Sequence, residues 1–372
     1  MKKLIFFTLV LTALSAILNP ANVHGCTSWM IFSDLTKNGT NILHKNRDAT
    51  SRNLAVYLSP ADSPRKWIGM GNNNTSAMGM NASGLAVIMN NGGVTSEFSD
   101  DLTRKTTGII LRESLTYCDT AAQAIDRVKN IIKNKQFRQP AQRGSIFFFC
   151  DRNEGYICEM TSDHCSFQRY DAGYAVRANI LHNPGMDQRS RNNISHHLNS
   201  SARAFIAISE FNKALDKTGK ITLQNIFDLS RHYLMPEESP EKRSVCFKYT
   251  NSTASFEIDK QYPNVLSTAY FTIGHPRHTV YVPIPVCVKE ILPSMGNLKW
   301  SAAALKRLES LNLEAPIPPE WTKFEQDSLA EYSKAKAEAR KLLSENKRAE
   351  AINLINSAAK KIWQKAEKLL NI

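Results

Sequence analysis

The strongest constraint on the fold is a run of short apolar segments separated by turn residues, the pattern of strands. From Cys26 to about Met89, SWMIFSD and TNILH are β-rich and flank LTKNG, which reads as a turn; LAVYLS follows. A Gly/Asn-rich stretch, GMGNNNTSAMGMNASG, then leads into the apolar run LAVIM. Between Thr107 and Lys135 the period changes. Ala121, Ile125, Val128 and Ile132 recur at helical spacing, with Asp119 as the expected cap. SIFFFC (Ser145 to Cys150) reads as a buried strand, DRNEG as its turn and YICEM as the returning strand; SFQRY and YAVRANI continue the series. The stretch from Ser200 to Leu234 reads helical and stops before Pro236, and Val265 to Ile273 and Thr279 to Ile284 are two further strands. Sheets interleaved with helices predict a mixed body, α/β or α+β.

After Pro319 the composition shifts to Ala, Lys, Glu and Leu. EQDSLAEYSKAKAEARKLL and RAEAINLINSAAKKIWQKAEKLL are two long helix patterns with SEN between them as a turn. In the second, Ala351, Ile355, Ala358, Ile362 and Leu369 make one apolar face. The expected structure is a helical hairpin packed on the body; the alternative is a surface that binds a partner.

The chain opens with a positive Met1-Lys2-Lys3, an apolar run, LIFFTLVLTALSAIL, and a short polar stretch ending at Gly25. That is the layout of a secretory signal, and the run is too short and wrongly flanked for a spanning helix. The expectation is a signal peptide over 1–25, no integral membrane span, and a secreted or periplasmic product. The body is expected over 26–300 and the helical extension over 301–372. Hydrophobic residues at 42% and charged residues at 22% are ordinary for a globular chain. The net charge of +13 comes from residues spread along the sequence, which suits a solvated basic surface able to attract acidic substrates. No zinc-finger spacing, RNA-binding signature or basic-helix array points to nucleic acid. His275 and His278 lack further ligands at metal-site spacing, and there is no Walker loop or Gly-x-Gly-x-x-Gly, so neither a metal nor a cofactor is expected.

Seven cysteines are present, and Cys26 stands at the cut itself. The other six leave their pairing open, with Cys150 and Cys158 flanking a hairpin. A terminal cysteine differs in kind from an internal one. Its α-amine, with a pKa of about 7.7–8.0, can take the thiol proton and return it later. An internal amide nitrogen has no such basicity, so loss of the leader would be the activating event. Two other readings compete. V-H-G-C resembles a lipoprotein cut site, although histidine two residues before the cysteine and the setback by Pro20 fit that signal poorly; and Cys26 could be an ordinary disulfide partner.

The order of motifs from Cys26 to Pro285 resembles the cysteine N-terminal nucleophile hydrolases that cleave linear amides. That group includes the choloylglycine hydrolase and penicillin V acylase family, the acyl-coenzyme A:6-aminopenicillanic acid acyltransferase-like family, and a set of dipeptidases. The resemblance implies an α+β fold, a four-layer αββα sandwich, here followed by the C-terminal helical hairpin. CTSWMIF would open with the nucleophile Cys26. HKNRD is similar to the family's turn whose aspartate contacts the nucleophile's amine, a role that falls to Asp48; Lys45 stands in that turn as a substrate-binding candidate, and Arg47 is an extra cation nearby. MGMNASGLAVIMNNGG resembles the strand ending in an oxyanion-hole asparagine, which is Asn91 by direct counting or Asn90 with a one-residue slip. RGSIFFFCDRNEGYICEM resembles the central hairpin, with Glu159 structural. YAVRANILHNPG places Asn179 in support of the site, SSARAFIAISEF makes Arg203 the candidate cation, and STAYFTIGHPRHTVYVPI resembles the paired late strands.

The implied activity is hydrolysis of a linear amide, either non-peptide or N-acyl amino acid, through an acyl-thioester on Cys26. The partner would be a small-molecule amide, and a homo-oligomer is compatible with the family. An acyltransferase or a dipeptidase on the same fold is the alternative. From another class, a non-catalytic lipidated surface protein could bind a partner through its helical tail.

Overall fold

The β-rich segments pair into two antiparallel sheets in a computed structural model that describes residues 25–51, 53–72, 75–139, 142–233, 244–310, 313 and 315–372. The leader up to residue 24 lies outside the described residues. One sheet is built from β1 (Thr27–Ile31), β2 (Asn41–Asp48), β10 (Tyr174–Arg177), β11 (Thr250–Ile258), β12 (Thr268–Thr272) and β13 (Val282–Pro285), in the order β10-β1-β2-β11-β12-β13. The other runs in sequence order through β3 (Leu54–Leu58), β4 (Trp67–Asn72), β5 (Thr75–Asn81), β6 (Ala86–Val94), β7 (Arg143–Cys150), β8 (Gly155–Met160) and β9 (Cys165–Tyr170).

The helices are α1 (Thr107–Tyr117), α2 (Ala121–Lys133), α3 (Ile194–Thr218), α4 (Leu223–Ser230), α5 (Pro263–Leu266), α6 (Pro293–Gly296), α7 (Lys299–Ser310), α8 (Pro319–Ser344) and α9 (Arg348–Leu370). Strand alternation in SIFFFC sorts the layers. Ile146 and Phe148 join the core between the sheets, while Phe147 and Phe149 join a second core with Ile110, Leu111, Ile125 and Val128 of α1 and α2. On the far side, Trp29 meets Phe211 of α3, Phe227 of α4 stacks on Tyr281, and the Trp363 indole of α9 donates to the Pro283 carbonyl of β13 at 2.6 Å. The architecture is therefore the expected four-layer αββα sandwich.

The C-terminal hairpin is one of those layers rather than an appendage. A buried bidentate pair fixes it: Arg231, at the end of α4, donates to Glu325 of α8 at 2.6 and 2.5 Å, and the Tyr281 N–H donates to the same carboxylate at 2.7 Å. Lys336 meets Glu257 at 2.8 Å and Arg340 pairs with Asp259, so α8 is tied to the sheet along its length. Because both partners of the first pair are sealed from water, losing one would leave a bare buried charge.

Several local expectations change. The cap of α2 is Thr120, which accepts from the Gln123 N–H; Asp119 is drawn away by Arg65 at 2.5 Å. The helical stretch expected from Ser200 is two helices, broken at Gly219, whose φ of 69° suits glycine, and its expected end at Leu234 lies outside the described residues. The segment read as a strand from Val265 begins with α5, where Pro263 takes the first helical turn. Cys150 and Cys158 lie on opposite faces of the β7–β8 ladder, in different cores, and do not pair; the seven cysteines are free thiols.

Candidate active site

Cys26 sits one residue before β1, at the end of the six-stranded sheet, and it is buried. In β1, Ser28 and Met30 face the other sheet: the Ser28 hydroxyl donates to Asn90 Oδ1 at 2.8 Å, and Met30 lies against Gly155. Period-two alternation carries Cys26 to the same face. The neighbouring ladders pair Thr27 with Asn46 and Ser28 with Arg177. Carried one pair past Thr27 and two past Ser28, those registers set Cys26 between Arg47 on one side and Asn179 on the other, and residue 25 across from Asp48.

Lys45 shares this inner face. Its ammonium reaches the Cys26 sulfur and also donates to the Met89 carbonyl of β6. Burial pushes the Lys45 pKa down from its ordinary 10.5, while the Cys26 sulfur and the Asp48 carboxylate pull it back up. Asn179 holds the same strand from the opposite side, donating from Nδ2 to the Asn91 carbonyl at 2.6 Å. The Met89–Asn91 backbone thus spans the site between Lys45 and Asn179.

Arg203 binds the backbone on either side of Cys26. It projects from the buried face of α3, which is capped by Asn193, and is 2% exposed. Nη1 donates to the carbonyls of Gly25 at 2.5 Å and Cys26 at 2.9 Å and to Thr27 Oγ1 at 2.8 Å; Nη2 donates to Asn179 Oδ1 at 2.8 Å. The last bond fixes the Asn179 amide, with its oxygen toward Arg203 and its NH₂ toward β6. Residue 25 is wedged in this corner: a Cβ there would come within 2.2 Å of Arg203 Nη2 and 2.5 Å of Asn179 Oδ1, so any larger residue must push these side chains aside.

Asp48 is 6% exposed. Its Oδ1 accepts from the Thr250 hydroxyl at 2.6 Å, and its Oδ2 is buried without a partner. Burial raises its carboxyl from 3.8 to about 7, against the opposing pull of Arg203, the Thr250 hydroxyl, Lys45 and Arg47. Thr250 reaches Asp48 because β11 carries a bulge: Thr250 pairs with Asp48 and Ser252 with Arg47, leaving Asn251 as the extra residue.

The structure brings Cys26, Lys45, Asp48, Asn179 and Arg203 together. It divides the two asparagines differently from direct counting. Asn90 points its side chain at the six-stranded sheet, whereas the Asn91 side chain turns back to accept from the Gly93 N–H at 2.9 Å. Asn91 therefore meets the site through its backbone and Asn90 through its side chain, as alternation along one strand requires. Sequence reasoning missed Thr250, which sits in no motif, and Ser28, which lies within CTSWMIF without a role assigned to it; both touch site residues. Glu159 is structural as expected: it accepts from the His182 and Asn183 N–H groups at 2.6 and 2.8 Å, fixing the segment that follows Asn179.

Two histidines near the site are committed elsewhere. His44 lies on the outer face, stacked on Trp29 at 4.1 Å, and burial lowers its pKa to about 3. His196 spends Nε2 on the Asn179 carbonyl at 2.8 Å. Among the described residues no histidine is hydrogen-bonded to Cys26.

Residues 35–234 match the family described as AAT, acyl-coenzyme A:6-aminopenicillanic acid acyl-transferase, a stretch that includes Lys45, Asp48, Asn90, Asn91, Asn179 and Arg203 and begins after Cys26. No curated protein matches the chain. Among solved structures it is similar to penicillin V acylase from Agrobacterium tumefaciens, at 14% identity and a TM-score of 0.47, over 72% of this chain and 89% of that one. It is also similar to the Caenorhabditis elegans ortholog of N-acylethanolamine-hydrolyzing acid amidase, at 13% identity and a TM-score of 0.41, over 65% of this chain and 94% of that one. The family match runs over more than half of the sequence, and the chain belongs to the acyl-coenzyme A:6-aminopenicillanic acid acyl-transferase family.

Proposed function

We propose that the protein is an exported amidohydrolase whose nucleophile is Cys26, made N-terminal by removal of residues 1–25. The observation that carries this reading is the orphaned Oδ2 of Asp48, buried across the ladder from residue 25. An unpartnered carboxylate oxygen is costly in such a place. Cutting the Gly25–Cys26 bond turns a non-basic amide nitrogen into an amine, and its ammonium form would supply the missing partner.

The chemistry follows from that pairing. The α-amine takes the thiol proton, and the thiolate attacks the amide carbonyl of a small-molecule substrate. Lys45 offers its cation to the sulfur. The Asn179 NH₂, with one N–H on Asn91 and the other uncommitted, is the donor for the negative oxygen, while the Asn90 NH₂ is turned to the Arg177 and Ala178 carbonyls at 3.5 and 3.4 Å. Collapse of the adduct breaks the C–N bond, and the α-ammonium gives its proton to the departing amine. Asp48 holds the ammonium and Arg203 holds the carbonyl of Cys26, so the nucleophile keeps its orientation. Water then releases the acyl group from the thioester. The family description favours a second outcome, in which an amine takes the acyl group in place of water.

The test is mass spectrometry of the exported protein before and after a brief acid-quenched incubation with an N-acyl amino acid library. A free Cys26 terminus that gains one acyl mass supports the reading, and added amines reveal any transfer. Diacylglycerol on Cys26, or amide cleavage that survives Cys26→Ala, would refute it.

A further inference from the structure

We propose that Arg47 is a specificity residue that binds a carboxylate of the substrate near the scissile amide, so that the enzyme selects anionic amides. The inference rests on the reading of Cys26 as nucleophile and extends it to the class of substrate.

Three cations surround Cys26, namely Lys45, Arg47 and Arg203, and among the described residues Asp48 is the carboxylate whose charge acts on them. Removing the leader leaves this imbalance in place, because the new ammonium and the thiolate offset each other. Two of the cations are committed. Lys45 is held by the Met89 carbonyl and the sulfur, and Arg203 by chain oxygens and Asn179. Arg47 is not. It shares the inner face with Lys45 and the sulfur, and it makes a single hydrogen bond, from Nη1 to Asn251 Oδ1 at 3.1 Å.

That bond aims the side chain. Asn251 is the bulged residue of β11, and its own NH₂ donates to the Ala49 carbonyl at 3.2 Å and the Ser51 carbonyl at 2.5 Å. The anchor takes one end of the guanidinium and leaves the Nε–Nη2 edge with no hydrogen-bond partner among the described residues. This is the edge whose two parallel N–H groups match the two oxygens of a carboxylate. Arg47 is partly exposed. A half-buried arginine without a carboxylate partner, fixed at one end beside the nucleophile, is a preformed anion site. Burial lowers its pKa, with the Cys26 sulfur and Asp48 opposing, which is the expected state of a cation waiting for a counter-charge.

The experiment uses two matched pairs: N-octanoylglycine with its glycinamide, which vary charge on the amine half, and N-phenylglutaramic acid with its primary amide, which vary it on the acyl half. Turnover is measured with the processed enzyme, and binding by calorimetry with its Cys26→Ala variant. The acid should exceed the amide by roughly 10- to 100-fold in at least one pair, which also locates the carboxylate. Arg47→Gln should remove most of that preference, chiefly through KM, and Arg47→Lys should restore part of it. Equal loss on both members of a pair, a preference that survives Arg47→Gln, or no discrimination by charge in either pair (failure to bind all four compounds included) would overturn the proposal. Charge-selective binding without turnover would instead keep Arg47's role and refute the hydrolase reading.

Discussion

Keeping residue 25 joined to Cys26 should make the folded protein lose stability as pH rises from about 4 to about 7. In that form Asp48 has no α-ammonium beside its Oδ2, and burial lifts its carboxyl from 3.8 to about 7. Through this window the folded chain holds a proton that the unfolded chain has released, so unfolding frees protons and stability falls with rising pH. About three pH units correspond to about 4 kcal/mol in total. Processing reverses the effect: a Cys26 ammonium beside Oδ2 favours the carboxylate, lowers the folded pKa and flattens the slope. The assay is urea unfolding across the window for three chains, one retaining Gly25, one retaining Gly25 with Asp48→Asn, and one beginning at Cys26. Glu159, which burial also raises to about 7, adds the same slope to all three and cancels. The first chain should show the steepest loss. If Asp48→Asn leaves the slope unchanged, or if the chain beginning at Cys26 is equally steep, the assignment of Asp48 as the amine's partner is wrong.

Two further outcomes follow from the same geometry. Glu325→Ala should cost about 3–5 kcal/mol in chemical denaturation because it strands Arg231, and the double change Arg231→Met with Glu325→Leu should recover most of that loss; a small effect of the single change would show that α8 is not anchored there. Asn179→Ala should lower kcat by roughly 100- to 1,000-fold through loss of an oxyanion donor. Asn91→Ala should cost far less, since its side chain serves only the Gly93 N–H, and steady-state kinetics on the two variants compares them.

Much of this architecture is legible in the sequence where side-chain periodicity meets a full layer of packing. The apolar face of the last helix is an instance: Ala351, Ile355, Ala358 and Ile362 are buried as their spacing requires, although Leu370 rather than Leu369 ends the row. The Gly/Asn-rich stretch before Leu85 is less legible. It forms most of β4 and β5 because α1 lies close upon them; a Cβ at Gly79 would meet the Leu115 side chain at 2.6 Å and the Ile68 carbonyl at 2.7 Å. Composition alone gives glycine there the look of a turn. In the site, motif order finds Cys26, Lys45, Asp48, Asn179 and Arg203, because each lies in or beside a strand or helix with a recognisable pattern. Thr250 escapes because its role depends on a bulge, and register cannot be counted from one strand. The choice between Asn90 and Asn91 escapes for the same reason: a shift of one residue exchanges the two faces of a strand.

The claim that the freed α-amine is the base is tested most directly by comparing amide hydrolysis in two otherwise identical chains, one beginning at Cys26 and one carrying a single glycine before it. Both contain the same thiol, the same Lys45 and the same Asp48. The account predicts that the extra residue lowers kcat/KM by roughly 100- to 10,000-fold, the usual worth of a positioned general base. Equal rates in the two chains would contradict it.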